Sequence, residues 1–205
     1  MPILLLIRHG ENDVMHRRLA GRMTGVHLNT VGQSQAAGLV AGLKEIPIRA
    51  IYSSPLERAL ETAAPLAAAR RLPIQVQPGL LEIDYGAWQG RTYKQLGRSN
   101  LWKILHQQPS RVRFPAGETL AEAQARVVLA LAQVAGQHSE KDVLACFTHA
   151  DVVRLAVAHF LNLALDDFQR LHISPAGCTA VMLGGEVPRL LYINQTWITP
   201  PDKRT

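Results

Sequence analysis

Three short apolar runs constrain this chain most: residues 3–7 (Ile-Leu-Leu-Leu-Ile), 50–52 (Ala-Ile-Tyr) and 143–148 (Val-Leu-Ala-Cys-Phe-Thr). None alternates polar with apolar residues, and each is too short for a membrane span or a signal peptide. A continuous apolar run of this length reads as a strand covered on both faces, as in a parallel sheet. Helix signals fall between the runs. Strands alternating with helices predict an α/β layered domain with a largely parallel sheet.

The spacing of caps and breakers predicts the remaining elements. A helix is expected over residues 30–43, with Thr30 as N-cap and Gln33 completing a capping box. A second runs from Ser54, as N-cap, through Pro55 at the first helical position and Glu57 closing the box, to about Arg71. A strand is expected at 74–77, loop at 79–89, helix at 92–106 and loop at 111–117. Thr119 and Glu122 form another box opening a helix that reaches about His138, and a further helix follows over 151–163. Strands at 178–183 and 190–193 read as a hairpin turning at Gly184-Gly185. Residues 1–198 are expected to form one domain, and the polar tail at 199–205 to fray.

Lysine and arginine number 22 against 16 acids. That balance favours an anionic partner. Nucleic acid is disfavoured, because the basic pairs Arg17-Arg18, Arg70-Arg71 and Lys203-Arg204 are scattered and aromatics make up only 5% of the chain. The two cysteines, Cys146 and Cys178, lie in apolar strand-like runs and read as small core residues rather than a disulfide. A cytoplasmic protein without membrane association is the expectation, and a homo-oligomer is compatible with the sequence. No Cys/His/Asp cluster has metal-site spacing.

In a parallel α/β sheet, ligands bind beyond the carboxyl ends of the strands. The first strand ends in Arg8-His9-Gly10-Glu11. The second is followed by a helix with Arg58 in its first turn. The 143–148 strand ends in Thr148-His149, just before a helix start that favours an anion. If these strands are neighbours, two arginines and two histidines meet at one rim. A guanidinium grips two phosphate oxygens and keeps its proton. A neutral imidazole can attack phosphorus. A second histidine can donate to the equatorial oxygens, and Gly10 lets backbone approach the phosphate. Glu82, in the loop after the third strand, can supply the leaving oxygen's proton. Each residue alone is ordinary: a single histidine at a strand end is more often structural, and Glu11 and Asp84 read as plain loop acids. The conjunction is what points to phosphoryl transfer.

These segments resemble the histidine phosphatase superfamily, the phosphoglycerate mutase-like clan. Arg8-His9-Gly10-Glu11 resembles its signature, which implies that His9 is the phosphorylated nucleophile. Tyr52-Ser53-Ser54-Pro55-Leu56-Glu57-Arg58-Ala59 with Thr62 resembles the segment of the second arginine. Leu81-Glu82 with Tyr85-Gly86-Ala87-Trp88-Gln89-Gly90 is similar to the acid/base segment. Phe114-Pro115-Ala116-Gly117-Glu118-Thr119 is similar to the loop before the long helix, and Phe147-Thr148-His149 to the second histidine's segment. Asn12 stands where the family usually has Thr or Ser, Met15 where many members have Asn, and Ala150 where Gly is common. Leu19-Ala20-Gly21-Arg22 corresponds to the loop over the phosphate, from which Arg22 could reach substrate. The resemblance implies a three-layer fold with a mixed, mostly parallel sheet flanked by helices, no cofactor, and a small phosphorylated substrate. The short stretch between Glu82 and Gly117 favours a compact phosphatase. A phosphomutase using the same phosphohistidine and a non-catalytic binder of phosphorylated ligands are the alternatives.

Overall fold

A computed structural model describes residues 2–183 and 187–197. Its order is β1 (Ile3–Arg8), α1 (Thr30–Gly42), β2 (Ile48–Ser53), α2 (Glu57–Arg70), β3 (Ile74–Val76), α3 (Tyr93–Leu96), α4 (Asn100–Gln107), α5 (Leu120–Gly136), β4 (Val143–Thr148), α6 (Ala150–Phe160), β5 (Cys178–Met182) and β6 (Arg189–Gln195). Short 3₁₀ turns at Pro78–Leu80, Gly86–Trp88, Pro109–Arg111 and Leu165–Arg170 lie in the connections. The six strands form one sheet in the order β3-β2-β4-β1-β5-β6. The first four of these are parallel to one another, and β5 and β6 are antiparallel additions. The sheet is therefore mixed and mostly parallel, as expected. The expected turn at Gly184-Gly185 and the tail at 199–205 fall outside the described residues.

Side chains alternate across the sheet, as strand geometry requires. Leu4 and Leu6 pack with Val127, Leu131 and Val153 beneath α5 and α6. Leu5 and Ile7 pack with Leu39, Leu66 and Phe147 beneath α1 and α2. Every residue of β4 is buried, which accounts for its uninterrupted apolar sequence. Cys146 and Cys178 are free, buried thiols on opposite faces. A third cluster, including Ile83, Trp88, Phe114, Leu155 and Phe168, lies under the connecting segments at one end of the sheet. Among the described residues, no helix is long and apolar enough to cross a membrane.

Three expected local features differ. Asn29, not Thr30, caps α1, its side chain accepting from the Gly32 amide. α2 begins only at Glu57, and Leu56 caps it without a side-chain bond. Ser54 and Glu57 are diverted: the Ser54 hydroxyl meets His149, and the Glu57 carboxylate accepts from the Gly25 amide. The helix expected over 92–106 is two helices. Gly97 weakens the middle, and the Ser99 hydroxyl accepts from the Trp102 amide, starting a new N-terminus there. The Thr119–Glu122 capping box is present as expected.

Candidate active site

β1, β4 and β2 are neighbours, with Arg8 level with Thr148 and Ser53 level with Phe147. Their carboxyl ends therefore open onto a common rim. The His9 amide donates to the Thr148 carbonyl at 2.8 Å, and the Gly10 amide to the Thr62 hydroxyl at 2.9 Å. That hydroxyl donates to the Arg58 carbonyl, so the residues after β1 are tied to the first turns of α2. Gly10 is needed for a different contact from the one expected: a Cβ there would lie 2.7 Å from the Gly32 carbonyl oxygen of α1.

His9 and His149 are buried, with ring centroids 5.3 Å apart in an edge-on arrangement. Burial holds both well below the ordinary histidine value, and Arg58 and Arg8 push in the same direction. Both rings are therefore neutral at pH 7. In His9, Nδ1 lies 2.7 Å from the Gly10 carbonyl oxygen, which can only accept. Nδ1 thus carries the proton and Nε2 keeps its lone pair. In His149, Nε2 lies 2.8 Å from the Ser54 hydroxyl, which also accepts from the Leu56 amide. A hydroxyl has one proton and two acceptor sites, so it can serve either tautomer; where it donates to Nε2, the N–H falls on Nδ1, a buried atom without a protein partner.

Two guanidinium groups stand beside the histidines. Arg58 is fully buried, and it donates to the carbonyls of Gly21 at 2.6 Å and Met23 at 3.3 Å. Arg8 donates to the Ile173 carbonyl at 2.6 Å and contacts the Met15 thioether. The Nε of each has no protein partner, nor has the Asn12 amide nitrogen, while Asn12 Oδ1 accepts from the amides of Val14 and Met15. Glu82 shares the same cleft, about 180 Å³ in volume, with Arg8, His9, Asn12, Arg58 and Ala150. Burial pushes its carboxyl up to about 7, and Asp151 adds to the effect against the pull of the Ile83 amide and the two arginines. The cleft thus holds a neutral imidazole, preorganised donors for an anion and a carboxyl group pushed up towards neutral pH.

Residues 4–196 match the Histidine phosphatase superfamily (branch 1). The chain belongs to this superfamily. Among curated members, the 2,3-bisphosphoglycerate-dependent phosphoglycerate mutase of Thermoplasma acidophilum is 29% identical over 97% of this chain and 95% of its own. Phosphoserine phosphatase 1 of Hydrogenobacter thermophilus is 29% identical over 96% and 93%. A bifunctional protein of Mycobacterium tuberculosis is also 29% identical, but the chain spans only 54% of that protein's length. The solved structure of YhfR from Bacillus stearothermophilus superposes with a TM-score of 0.87 at 27% identity, covering 93% of this chain and 96% of that one.

Within this superfamily member, Arg22 departs from expectation. It does not line the cleft: its guanidinium donates to the Glu82 carbonyl and pairs with Asp84 and Glu118. Arg126 also pairs with Glu118 and donates to the Glu82 carbonyl. Arg22 and Arg126 therefore brace the backbone that presents Glu82. Gly21 touches the cleft through its backbone, with φ +52°, and its carbonyl anchors Arg58. Sequence reasoning passed over Arg18, Tyr85, Tyr93, Asp151 and Arg154, all of which line the cleft. Tyr85 donates a short hydrogen bond to Asp151, which also accepts from Arg154. The i, i+3 spacing of Asp151 and Arg154 on a helix was the available signal.

Proposed function

We propose that this chain hydrolyses phosphomonoesters through a phosphohistidine on His9. The observation that carries the reading is the His9 tautomer: the Gly10 carbonyl holds the proton on Nδ1 and leaves Nε2 nucleophilic between two arginines. In the first half-reaction, Nε2 forms a bond to phosphorus as the P–O bond to the alcohol breaks. Glu82, protonated, gives its proton to the departing oxygen. Arg8, Arg58, the Asn12 amide and His149 Nδ1–H donate to the phosphoryl oxygens as charge redistributes. Ala150 opens α6, whose N-terminal amides add a positive dipole end beside them.

In the second half-reaction the Glu82 carboxylate takes a proton from water, whose oxygen attacks phosphorus. The P–N bond breaks and inorganic phosphate leaves. No step in this scheme uses a metal. The mutase relative favours one alternative, in which a second substrate hydroxyl replaces water. The short segment between Glu82 and Gly117 gives little material for a sealing lid, its α-helices being only α3 and α4, which supports hydrolysis. The test is the ratio of free phosphate to isomerised ester from 3-phosphoglycerate and from sugar phosphates. Mostly free phosphate is expected, and mostly isomerised ester would replace the phosphatase reading by the mutase one.

A further inference from the structure

Asp151 is the one acid of the catalytic cleft, among the described residues, that the reaction scheme leaves without a task. It stands in the first turn of α6, two residues after His149, and lines the same cleft as Glu82. Both of its oxygens are held. Oδ2 accepts from the Tyr85 hydroxyl at 2.5 Å, and Oδ1 accepts from the Arg154 guanidinium at 2.7 Å. Two accepting oxygens are the pattern of a carboxylate. Arg154 is itself fixed, because its Nε donates to the Leu171 carbonyl.

Tyr85 lies three residues after Glu82, and its ring packs edge-on against Phe114. The Tyr85–Asp151 bond therefore joins the segment that presents Glu82 to the helix that begins just after His149. Within Glu82, Oε1 accepts from the Ile83 amide at 3.0 Å, so the carboxyl proton belongs on Oε2. Arg8 and Arg58 both favour the ionised form of Glu82, and Asp151 opposes them. Arg154 interacts with both carboxyls. His9, Arg18, Tyr85 and Tyr93 are the other titratable groups on the cleft walls. Two arginines beside a carboxyl draw off its proton, and without a counterweight they would leave Glu82 a base before substrate arrives.

We propose that Asp151 is a positioning residue for the acid: gripped by Tyr85 and Arg154, it ties the Glu82 segment to the start of α6 and sets a fixed negative charge against the two arginines, so that Glu82 meets the ester as a proton donor. The proposal rests on the phosphomonoesterase reading and deepens it, making the acid a device of two carboxyls. Arg154 offsets part of the Asp151 charge. Neutralising Asp151 and neutralising Arg154 must therefore move Glu82 in opposite directions.

The experiment follows kcat/KM with pH for ethyl phosphate and p-nitrophenyl phosphate in the parent, Asp151→Asn and Arg154→Gln. Asparagine keeps the shape and an oxygen for Tyr85 but removes the charge. The alkaline limb for ethyl phosphate should move down by about one pH unit or more in Asp151→Asn, and up in Arg154→Gln. Asp151→Asn should then lose about 3–10-fold on ethyl phosphate on the alkaline limb and little on the acid side, with little loss on p-nitrophenyl phosphate at either. A limb unmoved in Asp151→Asn, or equal losses on both esters at every pH, makes Asp151 a structural residue and overturns the proposal. So does a limb displaced in the same direction by both variants. Where Asp151→Asn is recovered unfolded, Arg154→Gln alone decides, and a limb that does not rise overturns the proposal. NMR titration of isotope-labelled glutamate carboxyls, with the Glu82 signal assigned by its loss in Glu82→Gln, reads the same shifts without turnover. Opposed shifts with no phosphate released from either ester sink hydrolysis and keep the role of Asp151. Phosphate release with a Glu82 signal unmoved in Asp151→Asn does the reverse.

Discussion

Replacing Glu82 by glutamine tests the acid with both a sign and a size. Its carboxyl is pushed up to about 7. At that value about nine-tenths of it is protonated at pH 6 and about one-tenth at pH 8. A donor to an alkoxide then loses about tenfold in rate per pH unit above 7. His9 and His149 are held neutral well below that range, so neither contributes a limb there. For an alkyl phosphate, kcat/KM of the parent should fall on the alkaline side, and Glu82→Gln should lose that limb along with about 10²–10⁴ in rate. p-Nitrophenolate leaves without a proton, so the same variant should lose far less on p-nitrophenyl phosphate. Any rise near pH 6, where phosphate monoesters themselves ionise, should persist in both proteins. The carboxyl also has a stability signature. Its folded value is raised above the ordinary 4.5, so the native state holds a proton that the unfolded chain releases between 4.5 and about 7. Its contribution is full below 4.5 and is lost as pH rises to about 7, a change on the order of 3 kcal/mol. Denaturant titration should find Glu82→Gln gaining on the parent between pH 5 and 8. An alkaline limb surviving in the variant, or equal rate losses on the two esters, would remove Glu82 from the role of acid.

Other perturbations follow from the same geometry. His9→Ala should abolish turnover and the acid-labile phosphoenzyme while leaving the circular-dichroism spectrum intact, whereas chelator should leave the parent active. Arg58→Lys keeps a charge but cannot hold the Gly21 and Met23 carbonyls while also donating to phosphate, so kcat/KM should drop on the order of 10²–10³; an unchanged rate would refute the clamp. Gly21→Ala places a Cβ 2.7 Å from Gln89 Oε1 at a positive φ. It should weaken vanadate binding, measured by inhibition, although no catalytic atom is removed.

The sheet was legible because β1, β2 and β4 are buried on both faces and leave continuous apolar runs in the sequence. Arg8, His9 and His149 were legible because they follow those runs directly, and a strand end fixes where the next residue must be. Helix starts were read less well, because a capping signal and a site signal use the same residue types. Ser54 looks like an N-cap, yet its hydroxyl serves His149. Arg22 looked like a substrate ligand because it sits in the loop over the cleft, but Asp84 and Glu118, 62 and 96 positions away, draw it outward. Asp151 and Arg154 were missed for the opposite reason. A helical i, i+3 ion pair is usually a solvated surface feature, and only the approach of Tyr85 from a distant loop shows that this one walls a cleft.

Preorganisation accounts for the way the cations are held. Arg58 has one edge tied to the Gly21 and Met23 carbonyls, and Arg8 has one edge tied to the Ile173 carbonyl. Each guanidinium is thereby fixed in orientation before any anion arrives. Arg8 Nε, Arg58 Nε, Asn12 Nδ2 and His149 Nδ1 are buried without protein partners. Four such donors in one cleft suit an acceptor carrying several oxygens. A phosphoryl group in transfer has three equatorial oxygens whose charge redistributes, and donors fixed in advance follow that change without reorganising. Lysine in place of either arginine would satisfy the net charge but not the geometry, since a flexible ammonium cannot hold a carbonyl on one edge and present an N–H from another. The same logic gives Ser54 a place: in the tautomer where its hydroxyl donates to His149 Nε2, the proton sits on Nδ1, and a neutral histidine becomes a donor without charging a site already crowded with cations.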